Sequence, residues 1–135
     1  RYYRLQAGGS ALVGVVGESV EENNAFIALS HHLYNAGIPV PRVVAASDDR
    51  LRYLQTDLGN TSLYDALTAC RKSGEWDDAA YNLLADTMRT LARTQVEGDR
   101  GLDYSVCYPT ASFDERAIMY DLNYFKYCFF YCSSF

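Results

Sequence analysis

Residues 50 to 67 read RLRYLQTDLGNTSLYDAL, and the architecture turns on how this stretch is divided. Leu51, Tyr53 and Gln55 alternate with Arg52, Leu54 and Thr56, the two-residue period of a half-buried strand. An Asp48-Asp49 turn precedes it and suits a hairpin return from Arg42-Val43-Val44-Ala45. Ser62 and Asp65 have the spacing of a capping box and open a helix through Leu63, Ala66 and Leu67. Strand and helix are joined by Asp57-Leu58-Gly59, a linker whose main-chain N–H and C=O groups belong to neither element.

Toward the N-terminus, Arg1 to Gln6 and Ala11 to Glu18 form a predicted hairpin around Ala7-Gly8-Gly9-Ser10, whose paired glycines supply the positive φ angles of a tight turn. From Glu21 to Ala36, Phe26, Leu29, Leu33 and Ala36 recur at helical spacing until Gly37, Pro39 and Pro41 end the helix. Toward the C-terminus, Leu63 to Lys72 reads as one helix stopped at Gly74. Asp78 to Gln95 reads as a second, capped by Asp77-Asp78, with Tyr81, Leu84, Ala85, Met88, Leu91 and Ala92 on one stripe. Ser112 and Glu115 predict another capping box and a third helix from Phe113 to Tyr131. It carries Phe113, Tyr120, Tyr124, Phe125, Tyr127, Phe129, Phe130 and Tyr131, more aromatic surface than one neighbouring helix can cover. Something further should cover residues 113–135, unless the tyrosines lie half-exposed with their hydroxyls in water. The fold class is therefore α+β, with an antiparallel sheet and one helix first and a helical region after.

Composition bounds the function. The 135 residues are 49% hydrophobic and 21% charged, and no apolar run approaches the ~20 residues of a membrane span, so no membrane partner is expected. Seventeen acidic against 12 basic residues give a net charge of −5 with no basic cluster, which argues against nucleic acid. Cys70, Cys107, Cys128 and Cys132 lack paired CxxC spacing and read as buried reduced thiols rather than zinc ligands. His31 and His32 have no acid or cysteine at ligand spacing and read as helix-surface residues. The opening residues have no signal-peptide pattern and no initiator Met, so the start looks cut.

A purine can be held at a junction such as Asp57-Leu58-Gly59 by unpaired backbone groups. The run GIPVPRVVAASDDRLRYLQTDLGNTSLYDAL (Gly37 to Leu67), the opening RYYRL and the later DLNYFKYCF (Asp121 to Phe129) together resemble the aminoglycoside-phosphotransferase family of kinase-fold enzymes. Within it the likeness is greatest to bacterial kinases of N-acetylated amino sugars, including cell-wall sugars. The resemblance implies a protein-kinase-like small lobe, a hinge and the first helices of a large lobe. Residues 1–58 would be the small nucleotide-binding lobe without its first strand, and residues 59–135 the hinge exit and the N-terminal helical part of the large lobe. It further implies a cytoplasmic ATP-dependent transferase, with Mg²⁺ in the complete enzyme, that phosphorylates a sugar or amino-sugar hydroxyl.

Phosphoryl transfer needs a cation on the phosphates, metal ligands and a base near the acceptor. The strand Ala11 to Gly17 offers no lysine, where protein kinases place one. Arg1 and Arg4 are the bases near enough in sequence to replace it; Arg4 is preferred as phosphate ligand, against a plain surface arginine. Glu22 stands where the family places its acidic partner, although an acid in a first turn also answers the helix dipole. Val13 or Val15 would roof the adenine, unless their face is ordinary core. Gln55, Thr56, Asp57 and Leu58 would supply hinge contacts. A catalytic loop of the form H-x-D-x-x-x-x-N and a metal-binding D-F-G-like segment do not occur, so no catalytic or metal residue is assigned. The chain reads as truncated before its catalytic machinery, with the missing large lobe expected to cover residues 113–135. The alternative is a non-catalytic nucleotide-lobe module whose aromatic helix docks a protein.

Overall fold

A computed structural model describes residues 1–7 and 10–131, without the side chains of Ala7 and Ser10. In chain order it runs β1 (Tyr2–Ala7), β2 (Ser10–Val16), α1 (Val20–Asn35), β3 (Val43–Ala46), β4 (Arg52–Thr56), α2 (Leu63–Ala66), α3 (Thr68–Ser73), α4 (Asp78–Val96), a 3₁₀ turn at Tyr104–Val106 and α5 (Glu115–Phe125), which continues as a π-helical coil over Lys126–Phe130. The α+β expectation is met. The four strands form one antiparallel sheet in the order β1-β2-β4-β3. The expected Gly8-Gly9 turn and Cys132 lie outside the described residues.

Alternation decides which face of the sheet is buried. Val15, Tyr53 and Val43 project from three strands onto Ile27 of α1, with Val13 and Phe26 packed at the margin. Phe26 stacks on Tyr53 with ring centroids 5.2 Å apart. A buried aromatic of this kind contributes about 3–5 kcal/mol relative to alanine. Polar groups on α1 fix its place: Asn23, 5% exposed, donates from Nδ2 to the Arg50 carbonyl at 2.8 Å, and Ser30 Oγ donates to the Pro41 carbonyl at 2.5 Å. The β3–β4 turn is organised by Asp49, which accepts from the Ser47 hydroxyl, the Leu51 N–H and the Arg52 guanidinium. Those bonds pull its pKa from 3.8 down to about 2.

Several expectations need correction beyond β4. Ser62 and Asp65 do form a capping box, but the single helix expected from Leu63 to Lys72 is two, α2 and α3, broken at Leu67. Leu67 is buried at the break, and beside it the Thr68 hydroxyl donates to the Tyr64 carbonyl at 2.8 Å. Gly74, at φ 77°, stops α3 in the left-handed conformation. Asp77 caps α4 through the Ala80 N–H, but much of the α4 stripe is open, with Tyr81, Met88 and Leu91 exposed. The cap of α5 is Asp114, accepting from the Ala117 N–H at 2.9 Å, rather than Ser112, so Phe113 lies outside the helix. Cys128 is exposed rather than buried, while Cys70 and Cys107 are half-buried. Phe113, Tyr120, Tyr124, Phe125, Tyr127, Phe129, Phe130 and Tyr131 are all exposed. Among the described residues no helix is long and apolar enough to cross a membrane.

Candidate functional site

The strand register lines up two rows on the α1 side of the sheet. One is Tyr2, Val15 and Tyr53; the other is Arg4, Val13, Gln55 and Val43. Helix α1 covers the first row at Val15 and Tyr53, and reaches the second only at its Val43 end. Val15 is 5% exposed inside that core, which leaves it little surface for a planar ligand. Val13 and Gln55 are half-buried and Arg4 is exposed. On the α1 side the second row is thus left partly accessible away from Val43, and it ends beside the linker that follows β4.

That linker is where the ladder runs out. Gln55 pairs with Val13 on one side and Val43 on the other, and the Thr56 N–H donates to the Arg42 carbonyl at 3.0 Å. Both main chains are therefore committed to the sheet. Beyond them, the N–H and C=O of Leu58 have no partner among the described residues, and its side chain is 69% exposed. Gly59 holds φ 90°, a conformation glycine adopts without a Cβ clash, and its N–H donates to Asp57 Oδ1 at 2.9 Å. Of the four residues expected to offer backbone contacts, Asp57 and Leu58 are the two with neither N–H nor C=O paired among the described residues, and Leu58 is the more exposed of them. Gln55 adds a side-chain signal: its Oε1 is buried without a hydrogen-bond partner among the described residues. Such an orphan acceptor costs stability unless a water or another donor reaches it.

Arg4 and Asp57, both expected at the site, are brought together. Arg4 Nε lies 2.5 Å from Asp57 Oδ2, and Nη2 donates to Asp57 Oδ1 at 2.9 Å and to the Gly59 carbonyl at 3.3 Å. Nη1 donates to Asn60 Oδ1. The Asp57 side chain is only 8% exposed, and the Arg4 guanidinium, then the Gly59 N–H, hold its pKa below the ordinary carboxylate value. Arg1 and Glu22 are elsewhere, on a hollow of about 360 Å³ shared with Tyr2, Val15 and Tyr53. Among the described residues no cation pairs with Glu22. The Tyr53 hydroxyl there has a raised pKa, from burial first and then from Tyr2 and Glu22 nearby.

Sequence reasoning missed three polar ties. Arg4 and Asp57 are 53 positions apart, and nothing local marks them as partners. His32, read as a surface residue, donates from Nε2 to the Gly98 carbonyl at 2.7 Å and ties α1 to the end of α4. Asn23 is buried under the β3–β4 turn. No family model, curated protein or solved structure matches the chain, so what it does has to be argued from the chemistry of the site itself.

Proposed function

We propose that the chain supplies the nucleotide-holding part of an ATP-dependent small-molecule kinase, a protein-kinase-like lobe and hinge, whose acceptor is a sugar or amino-sugar hydroxyl. One observation carries the reading: the Leu58 main chain is unpaired beside the accessible Val13–Gln55 row. In this reading Val13 packs on one face of the adenine, the Leu58 N–H and C=O pair with its edge, and the Gln55 side chain lies close enough to add a polar contact. Val15 belongs to the wall behind the site. Among the described residues no three His, Cys, Asp or Glu side chains converge as a metal site. The part played by these residues is therefore to bind and orient the base, and Mg²⁺ would travel with the triphosphate. The acceptor class rests on the sequence resemblance.

The test is titration of the chain with Mg-ATP, followed by amide chemical shifts and by calorimetry. Stacking plus two or three hydrogen bonds gives a dissociation constant on the order of 0.1–1 mM, with the largest shifts at Val13, Gln55 and Leu58. Shifts confined to the Arg1–Glu22 hollow, or none at several millimolar, would overturn it. Submicromolar binding would mean that the essential contacts lie elsewhere.

A further inference from the structure

Arg4 lies on an edge strand, yet its partners belong to the segment after β4, with β2 lying between. Strands are spaced about 4.8 Å apart, so the first and third strands of the order lie roughly 10 Å apart, a gap that the Arg4 and Asp57 side chains close by reaching toward each other. On arrival the guanidinium makes three hydrogen bonds, from Nη2 to Asp57 Oδ1 and the Gly59 carbonyl and from Nη1 to Asn60 Oδ1, and its Nε lies in ion-pair contact with Asp57 Oδ2. The loop closes on the same carboxylate from within, because the Gly59 N–H donates to Asp57 Oδ1. An arginine disposed in this way has little left to offer a phosphate, and an incoming phosphate would also face the Asp57 charge.

We propose that Arg4 and Asp57 form a pin that fixes residues 57–60 against the first strand, making Arg4 a positioning residue for the hinge rather than a ligand of the phosphates. The pin stands on the contacts alone; what the held loop is for rests on the nucleotide reading above. Leu58 lies between two anchored points, Asp57 and Gly59. Its free N–H and C=O are thereby presented in one conformation, so a ligand does not have to bear the cost of ordering them.

The test uses the full chain with Arg4→Ala, Asp57→Asn and the exchanged pair Arg4→Asp/Asp57→Arg. Hydrogen exchange of the Gly59 amide, whose N–H is held by Asp57 Oδ1, is the first readout, and it needs no nucleotide. Each single variant should speed exchange there on the order of 10- to 100-fold, the worth of a charged hydrogen-bond set, and the exchanged pair should recover much of it. Unchanged exchange in both single variants overturns the pin even if nucleotides bind as proposed. The second readout compares adenosine with ATP. A loosened hinge weakens both by the same factor, so their affinity ratio stays constant in Arg4→Ala. A loss confined to ATP would make Arg4 a phosphate ligand and overturn the positioning role. If wild-type chain binds neither, the nucleotide reading fails, while the exchange data still decide the pin.

Discussion

Gln55→Met should raise the stability of the free protein and lower its affinity for adenine nucleotides. Methionine keeps the length and flexibility of the side chain and removes the amide, whose Oε1 is buried and unpaired among the described residues. Leaving an acceptor in that state costs about 1–3 kcal/mol, so its removal should gain about 1–2 kcal/mol once the lost solvation of the amide nitrogen is allowed for. With an unfolding entropy of roughly 2.1 cal/mol/K per residue, that gain corresponds to a Tm about 4–7 °C higher for a chain of this size. Binding should move the other way: a base whose entry turns the Gln55 amide out of its buried position and donates to it loses one hydrogen bond in the variant, roughly 5- to 10-fold in affinity. Circular-dichroism melts and calorimetric titration with ATP read the two effects separately. A lower Tm would mean that the carbonyl already has a partner, such as an ordered water. A higher Tm with unchanged affinity would leave the orphan acceptor real but remove Gln55 from the ligand site.

Two further predictions concern the scaffold. In Gly17→Ala the new Cβ would lie 2.2 Å from Asn23 Oδ1, and the amide it must displace is buried and holds the Arg50 carbonyl. Urea unfolding should show a loss of about 2–4 kcal/mol, from overpacking together with the broken bond. Asp49, with its pKa lowered from 3.8 to about 2, stabilises the fold fully above its unfolded value, and this contribution disappears as pH falls toward 2. Asp49→Asn should therefore be less stable than wild type at pH 6, with the difference closing as both are melted at successively lower pH down to 2. A gap that persists to pH 2 would assign the turn's stability to something other than the carboxylate.

Much of the fold was legible because its signals are local. The alternation at Leu51 to Thr56, the Ser62/Asp65 capping box, Asp77 ahead of a helical stripe and Gly74 after a helix each act within one turn or one strand, and each forms where expected. The errors occur where local signals compete. Ser112 and Asp114 both suit an N-cap, and only the geometry of the first turn chooses Asp114. A helix that propensity alone would continue is interrupted at Leu67, which is buried.

The site divides the same way. The sequence by itself determined that a strand ends at Thr56, that a capped helix begins after Ser62 and that a short glycine-containing linker joins them, because dihedral preference and hydrophobic period are properties of neighbouring residues. It could not determine that Val15 is enclosed while Val13 remains accessible, since both share one face of β2 and the difference is only how far α1 reaches along it. Nor could it pair Arg4 with Asp57. That contact exists because the strand order places β1 two ladder steps from β4, and strand order is decided by how the whole sheet buries its apolar face against α1, not by any residue within reach of either partner.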